Sequence, residues 1–198
     1  MPAGARDTGA VIGIPELETP RLRLRAIRPD DAEPFIAAMA DPGFARYLSL
    51  DGKPLSRADA WRRLMMIAGC WVVNGFSNWA VEERASGRFI GTLGPWQPEG
   101  WPGFEIGWGI FPAFQGKGYA SEGAAAAVRF AHDVLGQDRI LHLIAPANAA
   151  SQGVAQALGA VKGDPWLPPW PNAEPVERWV TTRESFRASR AARRLVTA

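Results

Sequence analysis

The sequence predicts a single α/β domain with a mixed central sheet of about six to seven strands flanked by helices. Three observations indicate this class. The chain has 198 residues, of which 47% are hydrophobic and 21% are charged, which suits one domain with its own core. Segments that alternate apolar and polar residues are interspersed with segments of helical periodicity. Strands in the middle of the chain form a hairpin, so the sheet combines antiparallel with parallel pairs.

The first predicted elements are an arm, a strand and a helix. Residues 1–16 lack apolar periodicity and predict a flexible arm before a domain over residues 17–182. Leu22 and Leu24 alternate with arginines, which is typical of a half-buried strand. Asp30 precedes a glutamate by three residues, which is a helix-start signal, and an apolar stripe follows it.

A second helix and a hairpin come next. Ser56 repeats the helix-start signal. Helical spacing of apolar residues predicts the inward stripe Trp61, Leu64, Met65, Ala68 and Trp71. Residues 78–83 and 89–93 alternate as two strands around a turn at Gly87, and a Gly/Pro/Trp-rich loop follows over residues 94–103.

The strand predicted over residues 104–110 has an unusual pattern. One face is apolar throughout, and the other carries Glu105, Gly107 and Gly109. Because strand interiors usually avoid glycine, we expect another group to approach the backbone closely on the glycine face. Glu105 lies on that face, so we expect its carboxylate to be open to a cleft.

The last third contains a long helix and a basic end. An alanine-rich helix is predicted from about Tyr119 to Leu135, then a strand over residues 140–145, a helix over 151–158 and a strand over 176–182. Residues 183–198 hold five arginines and one glutamate, a net of +4, so the rest of the chain carries −2 of the total +2. This distribution predicts a solvated basic tail rather than a nucleic-acid-binding domain.

Composition excludes several function classes. No run approaches 18 apolar residues, and the N-terminus lacks an apolar signal segment, so neither a membrane partner nor secretion is expected. With Cys70 as the single cysteine, the chain predicts a soluble, cytoplasmic protein. His132 and His142 are too few for a zinc site without carboxylates, and no metal is expected. We expect His142 to lie in the core and His132 on the helix surface.

The segment Gln115–Ala120 joins a strand to the long helix. A glycine-rich helix entry presents unpaired N–H groups at the positive end of the helix dipole, which suits a phosphate. Gly116 and Gly118 carry no Cβ that would keep a phosphate away. The segment matches neither a P-loop nor a dinucleotide fingerprint. From the residues alone, a nucleotide-phosphate binder and an ordinary loop remain alternatives.

The same segment resembles the acetyl-CoA pyrophosphate loop of the GNAT superfamily of N-acetyltransferases, whose pattern is Gln/Arg-x-x-Gly-x-Gly/Ala. Further segments resemble, in order, the branch that acetylates ribosomal-protein N-termini. They are residues 18–25, 105–108, 121–124, 148–151 and 158–160, the last with Ala160 where the branch has phenylalanine. The resemblance spans about Leu17 to Thr182 and implies a GNAT fold.

The resemblance implies transfer of an acetyl group from acetyl-CoA to a primary amine, by direct attack in a ternary complex. The amine belongs to a protein N-terminus or to a small molecule. A backbone N–H near Ile110 is the expected donor to the developing oxyanion. Asn148 either orients the pantetheine amides or shapes a turn. The residues implied in acetyl-CoA binding are Ile110, Gln115, Gly116, Lys117, Gly118, Tyr119, Ala120 and Asn148.

Two residues are candidates for proton transfer. Glu105 is either the base for the amine or a structural carboxylate, with Glu82 as the alternative base. Ser151 is either a donor to the CoA sulfur or a helix N-cap. Many relatives use a tyrosine in this helix, and residues 153–157 contain none. A non-catalytic CoA-binding sensor or scaffold is therefore the alternative function, and the oligomeric state stays open, a homodimer included.

Overall fold

The computed structural model describes residues 13–49, 51–169 and 173–196. Its strands are β1 (Leu17–Glu18), β2 (Leu22–Arg25), β3 (Trp79–Glu83), β4 (Arg88–Trp96), β5 (Glu105–Ile110), β6 (Arg139–Ile144), β7 (Val161–Lys162) and β8 (Glu177–Thr182). They form one sheet in the order β1-β2-β3-β4-β5-β6-β8-β7. Strands β5 and β6 pair in parallel, and all other neighbours are antiparallel. The predicted mixed sheet is confirmed, with two-residue strands added at both edges.

The helices of the described residues are α1 (Ala32–Met39), α2 (Pro42–Ala45), α3 (Arg57–Asn74), α4 (Tyr119–Asp133), α5 (Ala149–Ala157), α6 (Arg183–Ala188) and α7 (Arg190–Val196). Helix α2 was not predicted. It begins because Asp41 Oδ1 accepts a hydrogen bond from the backbone N–H of Phe44 at 2.8 Å and so caps a new turn. None of these helices has the length and apolar content needed to cross a membrane.

The two faces of the sheet are covered by different helices. Helix α4 packs so closely on one face that a Cβ at Gly123 would lie 2.5 Å from Leu93 Cδ2. On the other face, the segment that includes α2 reaches β5. A Cβ at Gly109 would lie 3.1 Å from Leu48 Cδ1 and 3.3 Å from Phe44 Cζ. The expected close approach at this glycine is therefore confirmed, and the approaching groups belong to the chain itself.

Helix α3 begins and ends as the sequence predicts, but it buries only part of the predicted stripe, with Leu64 and Trp71 inward as expected. Ser56 Oγ accepts a hydrogen bond from the Asp59 N–H at 3.1 Å, and Gly75 ends the helix with φ of +75°. Trp61 and Met65, predicted to face inward, are 51% and 38% exposed. The residues that it buries are Ala60, Leu64, Ile67 and Trp71.

The predicted solvated tail after Thr182 is wrong. Residues 183–196 form α6 and α7, and Phe186 and Ala191 are each only 6% exposed within the main core. These helices cover His132, which is 3% exposed instead of lying on the surface as predicted. The domain therefore continues through residue 196. The predicted N-terminal arm lies outside the described residues up to residue 12.

Candidate active site

Strands β5 and β6 separate soon after they meet. Their one register pair is Glu105 with Leu141, whereas β4 and β5 pair from Gly91 with Ile110 to Trp96 with Glu105. Beyond Glu105, side chains bridge the two strands. The Leu143 N–H donates to Glu105 Oε1 at 3.0 Å, and His142 Nδ1 lies 2.7 Å from the Ile106 carbonyl oxygen. The result is a gap between the C-terminal ends of two parallel strands.

Glu105 is buried at the start of this gap. Its side chain accepts a second hydrogen bond from Trp101 Nε1 at 2.6 Å, and the residue is 7% exposed. The carboxylate is therefore shielded from solvent to a greater extent than expected, because the Trp101 indole bonds to it. Burial raises the pKa of Glu105 to about 7, although the hydrogen bonds from Leu143 and Trp101 act in the opposite direction.

The backbone beside Glu105 leaves room for another group. Among the described residues, a Cβ at Gly107 would have only the Glu105 carboxyl group within 4 Å, with Oε1 at 3.9 Å. At Gly109 the corresponding space is filled by α2 and the residues after it. The two glycines of this face thus differ: one accommodates the fold, and the other borders an open space next to a buried carboxyl group.

Glu82, the alternative base, is held in a buried ion-pair cluster. Arg25 Nε lies 2.6 Å from Glu82 Oε2, and Arg25 also pairs with Asp31 at 2.7 Å. Glu82 lies on β3, which β4 separates from β5. This position removes Glu82 from the gap and leaves Glu105 as the carboxylate that the structure brings to it. Across the described chain, no cluster of His, Cys, Asp and Glu side chains has the composition to hold a metal ion.

On the α5 side of the gap, Trp108 meets Ser151. Trp108 Nε1 donates to Ser151 Oγ at 3.2 Å, which leaves the hydroxyl proton able to donate elsewhere. Ser151 is not the helix cap that the sequence allowed, because Asn148 Oδ1 accepts the Ser151 N–H at 3.1 Å and caps α5. Asn148 therefore acts within the chain, by fixing the helix turn that carries Ser151.

His142 lies beside Trp108 as a fully bonded core residue, as predicted. The centroid of the His142 ring lies 5.2 Å from that of Trp108, and His142 is 1% exposed. Nδ1 contacts the Ile106 carbonyl, and Nε2 lies 2.9 Å from Thr181 Oγ1. Burial lowers the pKa of His142 to about 4, so the imidazole is neutral near pH 7.

The loop before α4 presents the start of that helix to solvent. Gln115 Nε2 donates to the Ile110 carbonyl at 2.8 Å, so this side chain fixes the loop to the end of β5. Gly116 and Gly118 have φ of +75° and +81°, a conformation that favours glycine. Gly118 is the N-cap of α4, and no side chain in the described part of the chain caps this end. The first N–H groups of α4 are consequently available to an anion.

Arg21, which directly precedes β2, holds this loop in place. It is not among the predicted site residues. Its Nη1 donates to the Lys117 carbonyl at 2.9 Å, and its Nε lies 2.6 Å from Glu122 Oε2. A Cβ at Gly118 would lie 3.5 Å from Arg21 Nη2. Arg21 therefore places a guanidinium directly beside the helix start. The contacts span about a hundred residues of sequence, so local spacing carries no signal for them.

Lys117, Tyr119 and Ala120 complete the predicted loop and face different environments. Lys117 is exposed, with Nζ 5.2 Å from the Phe114 ring centroid. The Tyr119 side chain packs in the core, and its hydroxyl donates to the Glu83 carboxylate. Ala120 is half-buried. Of these three, Lys117 offers a charged side chain at the surface of the loop.

Comparison with known proteins gives the class. Residues 21–161 match the family model for the acetyltransferase (GNAT) domain. The chain therefore belongs to the GNAT acetyltransferase family and is an acetyl-CoA-dependent acetyltransferase. The predicted family and fold are confirmed.

Individual relatives agree with this assignment. The chain is 30% identical over 149 residues to the uncharacterized N-acetyltransferase YoaA of Bacillus subtilis, covering 75% of this chain and 84% of that protein. The crystal structure of an acetyltransferase from Agrobacterium tumefaciens superposes with a TM-score of 0.74 at 26% identity, over 88% of this chain and 98% of that one. RimJ of Mycobacterium smegmatis, in complex with CoA-disulfide, has the same fold, with a TM-score of 0.70 and 21% identity over 92% of each chain.

Proposed function

We propose that this enzyme transfers the acetyl group of acetyl-CoA directly to a primary amine, with Glu105 as the general base. The observation that carries the proposal is the buried Glu105 carboxyl group beside the open space over Gly107, where β5 and β6 separate. Each carboxylate oxygen has two acceptor positions, so each keeps one beyond its N–H donor. A carboxylate with a pKa of about 7 is suited to accept a proton from the substrate ammonium near neutral pH, which frees the amine lone pair to attack the acyl carbon.

The phosphates of acetyl-CoA would bind at the start of α4. Gly116 and Gly118 have the positive φ values that favour glycine, and none of the described side chains caps the helix that follows. Lys117 adds positive charge beside these donors, and Arg21, whose charge is paired with Glu122, holds the Lys117 carbonyl in place. The residues present therefore fit a pyrophosphate.

The gap between β5 and β6 suits the amide-bearing arm of the same molecule. Backbone groups along the separating strands that neither a ladder partner nor a side chain satisfies can bond to a ligand amide. Acetyl-CoA supplies the activated acyl group and a thiolate leaving group when bound. Backbone N–H groups toward Ile110 would stabilise negative charge on the acyl oxygen. Ser151, with its oxygen already accepting from Trp108, would donate a hydrogen bond to the sulfur as the thiolate leaves.

The test is turnover with a panel of amines: a peptide with a free N-terminus, a polyamine and an aminoglycoside. Release of the CoA thiol, together with a product heavier by one acetyl group, is the expected result. Initial-rate lines that intersect would agree with a ternary complex, whereas parallel lines would indicate an acyl-enzyme. Stabilisation by acetyl-CoA without thiol release from any amine would instead favour the non-catalytic sensor. Stabilisation by ATP but not CoA would favour a nucleotide-phosphate binder.

A further inference from the structure

Gly69 is a glycine without a role inside its own domain. It lies in the interior of α3 and on the exposed side of that helix. A Cβ at this position would have no described heavy atom within 4 Å beyond its own helix surroundings, so packing does not require glycine there. Glycine in a helix interior is less stable than alanine. A glycine at residue 69 is therefore explained better by a helix of another molecule that packs against α3.

The positions around Gly69 on the helix surface are all apolar and exposed. Residues three and four places away are its surface neighbours in each direction. They are Met65, Met66, Val72 and Val73, with exposed fractions of 38%, 45%, 65% and 83%. No residue from Leu64 to Val73 is charged. A helix that is apolar on every side is normally covered on every side. We call Gly69 and these four neighbours the Gly69 patch, and we expect another surface to cover it.

We propose that two copies of this chain dimerise through the Gly69 patch, with the two α3 helices crossing at Gly69. A small residue at the crossing point lets two helix backbones approach closely. The patch also has the same pattern toward both ends of the helix, which is what an isologous two-fold interface needs. In an antiparallel crossing, Met65 and Met66 of one copy meet Val73 and Val72 of the other. Long flexible side chains thus pack on short branched ones.

The exposed area favours a second copy over the chain's own N-terminal segment. With Trp61, which is 51% exposed, the patch offers on the order of 500 Å² of apolar surface per chain. A symmetric pair would bury at most about 1,000 Å², which reaches the lower limit of a specific interface. Residues 1–12 have only Met1, Val11 and Ile12 as large apolar residues, too few to cover the same surface. The proposal goes beyond acetyl transfer and does not depend on Glu105.

The test is the molar mass of the full-length chain in solution, by light scattering and sedimentation across a concentration series. The wild type should approach twice 21.5 kDa at high concentration. Val73→Arg should remain monomeric, and its melting temperature should equal that of the wild type at dilutions where the wild type is monomeric, since the residue is 83% exposed. Val134→Arg is the matched control, because Val134 is 66% exposed at the end of α4 and should leave the dimer intact.

Gly69→Ala should change the melting temperature of the monomer and the strength of dimerisation in opposite directions. The added methyl group should raise the melting temperature of the monomer, because alanine favours the helix, yet weaken association at the crossing. A wild type that stays monomeric up to about 100 μM would overturn the proposal. A dimer that persists in both Val73→Arg and Met66→Arg would overturn it as well, by placing the interface elsewhere. Association that appears only after removal of residues 1–12 would assign the patch to that segment instead.

Discussion

The pH dependence of turnover tests directly whether Glu105 is the general base. With a pKa of about 7, about a tenth of the Glu105 side chains are ionised at pH 6 and about nine tenths at pH 8. If only the ionised form accepts the amine proton, kcat/KM should rise about tenfold over this range. The acceptor amine also loses a proton as pH rises. Two acceptors with different amine pKa values separate the effects, because the limb set by Glu105 stays at the same pH for both.

Glu105→Gln should abolish this limb and lower turnover by roughly 10²–10⁴-fold, with acetyl-CoA affinity nearly intact. Glutamine keeps the size of the side chain, but its NH₂ group would face Trp101 or Leu143, both of which donate to Glu105 in the wild type. Loss of that bond removes about 1–3 kcal/mol, so each rate needs a matched thermal melt. Thiol release followed from pH 5.5 to 9 is the assay. A Glu105→Gln enzyme with the full rate across this range would refute the assignment.

Trp101→Phe is the companion variant. It keeps the carboxylate and the aromatic cover but removes the N–H that lowers the pKa of Glu105. The pKa should rise further, and the limb should move to higher pH without the large loss expected for Glu105→Gln. A limb that stays in place would show that another group titrates.

The same pKa shift makes stability depend on pH. Because burial raises the folded-state pKa from 4.5 to about 7, the folded protein holds this proton more tightly than the unfolded chain does. Its contribution is fully present below about pH 4.5 and is lost as pH rises to about 7, a decrease of about 3 kcal/mol. Urea melts at pH 5 and pH 8 measure it. Glu105→Gln should remove this part of the decrease.

Two further results test the rest of the site and the fold. Asn148→Ala should lower the free energy of unfolding by about 1 kcal/mol, since it removes the cap of α5, and an unchanged melt would contradict the cap assignment. Ser151→Ala should lower turnover less than Glu105→Gln does, and it also removes the acceptor of the Trp108 indole N–H. A chain truncated after Thr182 should lose several kcal/mol of stability, because Phe186 and Ala191 are buried, and an unchanged melting temperature would contradict that packing.

Local signals predicted most of the fold. Leu22 and Leu24 alternate because one face of β2 is buried, and Ser56 precedes α3 because its hydroxyl satisfies a helix N–H. The inward stripe of α3 was mispredicted because two faces of this helix are apolar. Periodicity then cannot tell which face meets the core, and Trp61 was assigned to the wrong one. Residues 183–196 predict a solvated tail because arginines dominate their composition, and this pattern gives no sign that Phe186 is buried.

The site was less predictable than the fold, for a physical reason. The resemblance located the loop before α4 and the β5 strand, since these are continuous segments. Arg21 reaches the loop through contacts with Lys117 and Glu122, which lie 96 and 101 residues away. The burial of Glu105 depends on Leu143, 38 residues away on another strand, and on how the Trp101 loop folds back. Such contacts are set by tertiary packing, which no local pattern records.

Calorimetric titration of acetyl-CoA tests the central claim that residues 115–120 at the start of α4 bind this molecule. Gly118→Val places a branched side chain at φ of +81° and should turn the N–H donors away. Gly136→Val is the matched control, because Gly136 has φ of +66° beyond the other end of α4 and comparable strain. Affinity should fall more than tenfold, over about 1.4 kcal/mol, for Gly118→Val and stay unchanged for Gly136→Val. Unchanged affinity in a folded Gly118→Val enzyme would contradict the account.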